Sequence, residues 1–383
     1  MKKKIIVSIL SILFLTCLNS YKVYAKTDLQ LNSKNAILYD RKYKRVLFEK
    51  DAYTKVPNAS TTKILTAIVV IENCNVNDIT EISQNAVNVI GSKVKFRKGD
   101  KVTINDLMKG MLLCSGNDAA IALAEHVSGT VESFCEIMNK KAKEIGAKNT
   151  NFLSPHGLDE EGHYSTAYDL AIIADYALNI PYLANIFSKK TETIYINNSP
   201  RNISTTNEML HVYNGADGVK TGFTNDAGRC LVTSATNEDG WQLISVVLGC
   251  DTKNFRTQDS KKLLDYGFKN FSIINIGEIL PKNISFEVEK SKEKMYKIDI
   301  KYEYYYPLTE DERKKVYYKQ SELPKLIAPV FKNTELVTYK MYINNTEIAE
   351  VIVKIENVIE RKNEKDYFKE LIMQMSKYVK FWL

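Results

Sequence analysis

The sequence has few of the ligands that a metal centre or a disulfide framework would need. It holds four histidines and six cysteines in 383 residues. The cysteines are Cys17, Cys74, Cys114, Cys135, Cys230 and Cys250, and no two form a Cys-x-x-Cys pair. Cys17 lies in the N-terminal apolar run, which leaves an odd number that does not suit a disulfide scaffold. They read as small buried apolar residues, with Cys114 set apart by its polar neighbours. His156 and His163 have no acidic or cysteine partners at ligand spacing, so they read as hydrogen-bonded loop residues. No metal and no other cofactor is expected. Excess charge is also lacking. The formal charge is +7, but residues 1–25 carry four lysines and no acid. The remaining +3 gives no case for binding nucleic acid and leaves only a weak attraction to an anionic membrane or wall surface.

The apolar run Ile5–Leu18 is too short to span a bilayer comfortably. It follows the basic start Met1-Lys2-Lys3-Lys4 and precedes Val23-Tyr24-Ala25, a small-residue cleavage signal. Residues 1–25 therefore read as a signal peptide, and an exported protein is expected. The length allows two or three domains. The expected organisation is a leader (1–25), a first domain (26–273), a small β-domain (274–356) and a helical tail (357–383).

Three stretches of the first domain carry chemistry. In Val56-Pro57-Asn58-Ala59-Ser60-Thr61-Thr62-Lys63, a proline and small polar residues end an extended segment, and a helical apolar run starts at Ser60. Lys63 then shares a helix face with Ser60. A desolvated lysine can take the proton of a serine hydroxyl. Taken alone, this reads better as a serine cap before a solvated lysine, and Ser92–Lys95 and Ser291–Lys294 repeat the spacing. Ser115-Gly116-Asn117 puts a hydroxyl and an amide on a tight turn between expected helices Ile104–Leu113 and Asp118–Val127. It reads equally as a helix cap. Lys220-Thr221-Gly222 lies on an expected strand, where Gly222 leaves room for a ligand against the backbone. Hairpin strands at Ala36–Tyr39 and Arg45–Phe48, helices at Val131–Ile145 and Ala167–Leu178, strands at Arg229–Ala235 and Trp241–Leu248, and a closing helix at Asn254–Phe268 complete the domain. This order fits an α+β fold, with one antiparallel sheet packed by helices plus an all-helical lobe.

Taken together, Ser60-x-x-Lys63, Ser115-Gly116-Asn117 and Lys220-Thr221-Gly222 form the ordered triple of penicillin-recognising serine enzymes. The runs Asn58–Lys63, Ser115–Ala120, Pro155–Leu158 with Gly162–Thr166, and Asp217–Thr224 resemble the D-alanyl-D-alanine carboxypeptidases, which are low-molecular-mass penicillin-binding proteins. No catalytic position departs from the pattern. Glu208 stands where that family often has a basic residue.

The resemblance implies a penicillin-binding serine transferase/β-lactamase-like domain acting on peptidoglycan stem peptides. It implies Ser60 as nucleophile, Lys63 as base and Ser115 with Lys220 as proton relay. Backbone N–H groups of Ser60 and Phe223 would hold the oxyanion. Asn117 would orient the substrate amide. Lys220, Thr221 and Gly222 would line the substrate site, and Arg256 would join Lys220 and Thr221 on the terminal carboxylate. β-Lactams would acylate the same serine. A class A β-lactamase would carry a Glu-x-x-Leu-Asn run between Asn117 and Lys220, and none is present. A large transpeptidase would need a long N-terminal domain ahead of Ser60. A DD-endopeptidase and a non-catalytic β-lactam sensor remain as alternatives.

From Ile274 to Ile355 the pattern becomes alternating and Tyr-rich, as in Met295–Tyr302 and Ile348–Val353, which reads as a small β-sandwich. The tail from Asn363 places Phe368, Leu371, Ile372, Met375, Val379 and Trp382 on one face. The expectation is a helix lying in the plane of a membrane surface, with packing on its own domain as the competing outcome.

Overall fold

The computed structural model describes residues 29–382, with side chains to residue 376. The expected leader lies outside the described residues. So do the side chains of Val379 and Trp382.

Asn35–Asp40 (β1) and Arg45–Lys50 (β2) form the expected hairpin. Ala216–Thr224 (β3), Gly228–Thr236 (β4) and Gln242–Cys250 (β5) complete a five-stranded antiparallel sheet of order β2-β1-β5-β4-β3. The two-residue period of a strand divides this sheet between two cores. Ala36 and Leu38 face Lys253–Asn270 (α6), where they pack with Leu243, Leu263 and Leu264. Ile37 and Tyr39 face the other way, into a core shared with Ile64, Ile68 and the helical lobe.

That lobe contains Lys63–Asn73 (α1), Ile104–Leu113 (α2), Asn117–Ser128 (α3), Val131–Ile145 (α4) and Ala167–Leu178 (α5). Their starts are local in origin. Thr103, Thr130 and Thr166 each accept a backbone N–H of the first turn, from Asp106 (3.1 Å), Ser133 (3.1 Å) and Asp169 (2.9 Å). Such caps contribute about 1 kcal/mol each. α1 runs through the middle of the lobe, with every residue from Lys63 to Val70 buried.

The second unit contains two three-stranded sheets around one core. Asn283–Glu289 (β6) is central, paired antiparallel with Met295–Asp299 (β7) and parallel with Leu326–Ile327. Val316–Gln320 (β8), Glu335–Ile343 (β9) and Thr346–Lys354 (β10) form the other sheet. Phe271 and Ile273 pack on the first domain, whereas Ile274 and Ile276 pack on the second, so the chain changes core at 273–274. Arg45 of β2 joins the units. It pairs with Glu312, donates to the Pro307 carbonyl and stacks 5.1 Å from the Tyr306 ring centroid.

The boundary expected at 356 moves. Ile359 is buried in the second core and bridges to Val330, so the β-domain runs on to about 361. The last helix, Glu364–Trp382 (α7), follows.

Candidate active site

The Ser60 segment does not open directly as an α-helix. Ala59–Thr62 is a 3₁₀ turn, and α1 begins at Lys63. Buried side chains hold this turn. Asn58 Nδ2 donates to Thr61 Oγ1 at 3.0 Å and Thr62 Oγ1 at 2.9 Å. Thr61 and Thr62 donate back to the Asn58 and Ala59 carbonyls, at 2.7 and 2.9 Å. Ala59 has φ +49°, a left-handed conformation costly for a residue with a Cβ. The neighbours that impose it are close. A Cβ on Gly222 of β3 would sit 3.0 Å from Ala59 Cβ and 3.1 Å from Ser60 N. A Cβ on Gly157 would lie 2.0 Å from the Ala59 carbonyl oxygen. The room left by Gly222, expected for a ligand, is therefore also needed by the Ser60 turn itself.

Lys63 is fully buried, and its Nζ meets three oxygens: Ser60 Oγ at 2.7 Å, Asn117 Oδ1 at 2.7 Å and the His156 carbonyl at 2.9 Å. Burial, with Lys220 nearby, drives the Lys63 pKa well below its ordinary value, and Asp118 offsets only part of this. A neutral amine has two hydrogens and one lone pair. The His156 carbonyl can only accept. Asn117 Nδ2 is committed to the Ile90 carbonyl at 2.7 Å, so its Oδ1 also only accepts. Both amine hydrogens are thereby used, and the lone pair is left facing the Ser60 hydroxyl. That is the geometry of a serine poised to lose its proton to a base.

Ser115 lies on the turn between α2 and α3, at φ +60°. It lines a cavity of about 460 Å³ with Ser60, Thr221, Gly222, Phe223 and Arg256. The turn is anchored by Asp118, whose carboxylate accepts N–H groups from Val94 (2.9 Å), Lys95 (2.8 Å) and Ala119 (2.9 Å). Lys220 is buried beneath the cavity, and its Nζ donates to the Thr221 carbonyl at 3.0 Å. Burial first, then Arg256, lowers its pKa to about 7. β3 is the edge strand of the sheet, so alternate N–H groups, unpaired by β4, are available to the site. Phe223 is half-exposed, with the Arg229 guanidinium 3.5 Å from its ring centroid.

His156 and His163 sit behind the nucleophile turn. Burial lowers their pKa values to about 3 and about 4, so both are neutral at pH 7. His163 Nδ1 accepts the Leu153 N–H at 3.1 Å, which leaves Nε2–H to donate to Thr62 Oγ1 at 3.0 Å. His156 Nδ1 likewise accepts the Leu158 N–H, at 3.2 Å. Among the described residues, no group of three His, Cys, Asp or Glu side chains is placed to hold a metal ion.

The cavity also holds residues that sequence reasoning did not assign to it. Thr206 Oγ1 lies 2.7 Å from Thr221 Oγ1, and Glu208 pairs with Arg256. A groove of about 520 Å³ in the second unit, lined by Phe286, Tyr296 and Ile355, has no serine or cysteine on its walls.

Residues 22–252 match the model of a family described as D-alanyl-D-alanine carboxypeptidase. The chain is 34% identical to D-alanyl-D-alanine carboxypeptidase DacF of Bacillus subtilis (strain 168), over 78% of this chain and 79% of that one. The crystal structure of penicillin binding protein 5 from Haemophilus influenzae superposes with a TM-score of 0.71 at 30% identity, covering 87% of this chain and 98% of that one. The Streptomyces K15 DD-transpeptidase superposes with a TM-score of 0.60 at 32% identity, covering 62% of this chain and 98% of that one.

Proposed function

Because this chain belongs to the D-alanyl-D-alanine carboxypeptidase family and is a serine-type enzyme of cell-wall metabolism, we propose that Ser60 is its nucleophile and Lys63 its general base. Ser60 Oγ attacks the carbonyl of the penultimate D-alanine of a stem peptide. The hydroxyl proton passes to Lys63 Nζ as the Oγ–C bond forms. N–H groups of Ser60 and Phe223 hold the oxyanion, a contribution of about 3 kcal/mol for such a donor. Ser115, backed by Lys220, relays that proton from Lys63 to the leaving nitrogen as the C–N bond breaks, so D-alanine departs and both side chains return to their starting state. Water then cleaves the ester, and the acid product leaves with Ser60 restored. Asn117 orients the peptide amide, while Lys220, Thr221 and Arg256 receive the terminal carboxylate along Gly222. A β-lactam presents a strained amide to the same serine and stays attached.

The observation that carries this reading is the Lys63 environment. Its two acceptor-only partners leave the lone pair aimed at Ser60. The test is release of D-alanine from diacetyl-L-Lys-D-Ala-D-Ala, with Ser60→Ala alongside. Release that the variant abolishes supports the assignment. Stable penicillin labelling without release would leave a sensor on the same fold.

Family members act on peptidoglycan, which lies outside the cytoplasm. The finer placement proposed here is the outer face of the cytoplasmic membrane, after removal of residues 1–25. The catalytic unit is residues 26–273, and the β-domain holds it away from the surface. No single described helix is long and apolar enough to cross a membrane. α7 instead leaves Phe368, Leu371, Ile372 and Met375 each more than half exposed. An apolar stripe that does not pack on its own domain supports an in-plane membrane anchor. Vesicle flotation of the full chain, compared with a truncation after Lys362, tests it.

A further inference from the structure

Two of the three groups proposed above to receive the substrate's terminal carboxylate, Thr221 and Arg256, are already held by one short segment, Thr205–Glu208. Thr206 Oγ1 is 2.7 Å from Thr221 Oγ1, and the Glu208 carboxylate pairs with the Arg256 guanidinium. The segment is fixed in place. Thr205 N–H donates to the Lys190 carbonyl at 2.9 Å, and Thr206 N–H to the Leu113 carbonyl at 3.1 Å. Buried Asn207 donates to the Gly218 carbonyl of β3 at 2.9 Å. Arg256 is 3% exposed, and its Nε has no partner among the described residues. Arg256 nevertheless lines the cavity, and Glu208 pairs with it from the cavity wall.

We propose that Glu208 is a specificity-determining residue that acts as an internal stand-in for the substrate's C-terminal carboxylate. It engages Arg256 in the free enzyme and must yield it when a carboxylate-ended peptide binds. Two carboxylates on one guanidinium repel each other in a partly dry site. The consequence is a weakened preference for a free carboxylate over a neutral C-terminus. Peptides whose last residue is amidated or otherwise uncharged leave the Glu208–Arg256 pair intact and are disfavoured less than the cationic wall alone would dictate. The inference rests on the assignment of Thr221 and Arg256 as carboxylate ligands.

The test compares diacetyl-L-Lys-D-Ala-D-Ala with its C-terminal carboxamide on the full-length protein and on Glu208→Gln and Glu208→Asp. Glu208→Gln should raise the acid-to-amide ratio of kcat/KM by about tenfold, mainly through a lower KM for the acid. Glu208→Asp keeps the charge and should hold the ratio within about twofold of the wild type. A ratio that is unchanged or lower in Glu208→Gln overturns the proposal, and a lower one would mean that Glu208 positions Arg256 for the substrate. If the wild type releases nothing from either peptide, the carboxypeptidase assignment of the site fails separately. Acylation by benzylpenicillin, which carries its own carboxylate, then decides through the mass of the intact protein. Faster acylation of Glu208→Gln supports the competition, equal or slower acylation overturns it, and no acylation of either protein overturns both readings.

Discussion

The two folded units bury different chemistry. In the first, Lys63, Asp118, Lys220 and Arg256 are all at least 97% buried, and Ala59 and Ser115 hold left-handed backbone. In the second, Ser291 is the only buried polar or charged residue, and the ion pairs Lys292–Glu360, Lys297–Asp299 and Lys340–Glu347 are exposed. Both have continuous apolar cores. The difference teaches that packing alone suffices for the second unit, whereas the first also accepts desolvated amines. In the mechanism proposed above, that cost supplies the base and the carboxylate-binding cation.

The sharpest way to break the comparison is at Lys63. Lys63→Met should lower kcat for D-alanine release by roughly 10³-fold or more. It should also nearly abolish penicillin acylation, while circular dichroism stays native. In the second unit, Phe286→Ala should cost about 3–5 kcal/mol of stability by opening a cavity between the sheets. D-alanine kcat/KM per folded molecule should then be unchanged, and coupled loss of both would mean that the β-domain shapes the site.

Lys220 sharpens the contrast through pH. Its folded pKa, about 7, lies below the ordinary value of 10.5. The native state therefore binds fewer protons than the unfolded state between those values, and stability rises with pH across that window. The penalty is complete below pH 7. Lys220→Met should raise the melting temperature by several degrees at pH 6 and by less at pH 9, while impairing turnover. For the wild type, kcat/KM should fall above about pH 7 as Lys220 loses its proton. The smallest effect is expected at Lys340 on the exposed sheet of the second unit, where Lys340→Ala should change unfolding free energy by less than about 0.5 kcal/mol. A larger loss would show that its pairs with Glu347 and Glu350 act as a network.

Much of the site was legible because its first contact is local. Ser60 and Lys63 are three residues apart, and one helical turn brings them together whatever else the chain does. Helix boundaries were equally readable at Thr103, Thr130 and Thr166, where a hydroxyl caps its own helix. Asn58 was visible beside the nucleophile, but its task, bracing Thr61 and Thr62, depends on the 3₁₀ turn that replaced the expected helix start. Asp118 was visible only as the start of an expected helix. Its carboxylate also gathers the Val94–Phe96 backbone, more than twenty residues away.

The sequence by itself determined the order of elements, the change of pattern near residue 274 and the three motifs that carry the chemistry. Hydrophobic periodicity and caps act within a few residues, so they survive in a linear reading. Tertiary structure alone lowered the Lys63 pKa, because its burial and the two acceptor-only oxygens come from segments 54 and 93 residues away. It also decided that Glu208 meets Arg256, 48 residues on, since only the docking of α6 on the face of the sheet brings the acid and the guanidinium into one cavity.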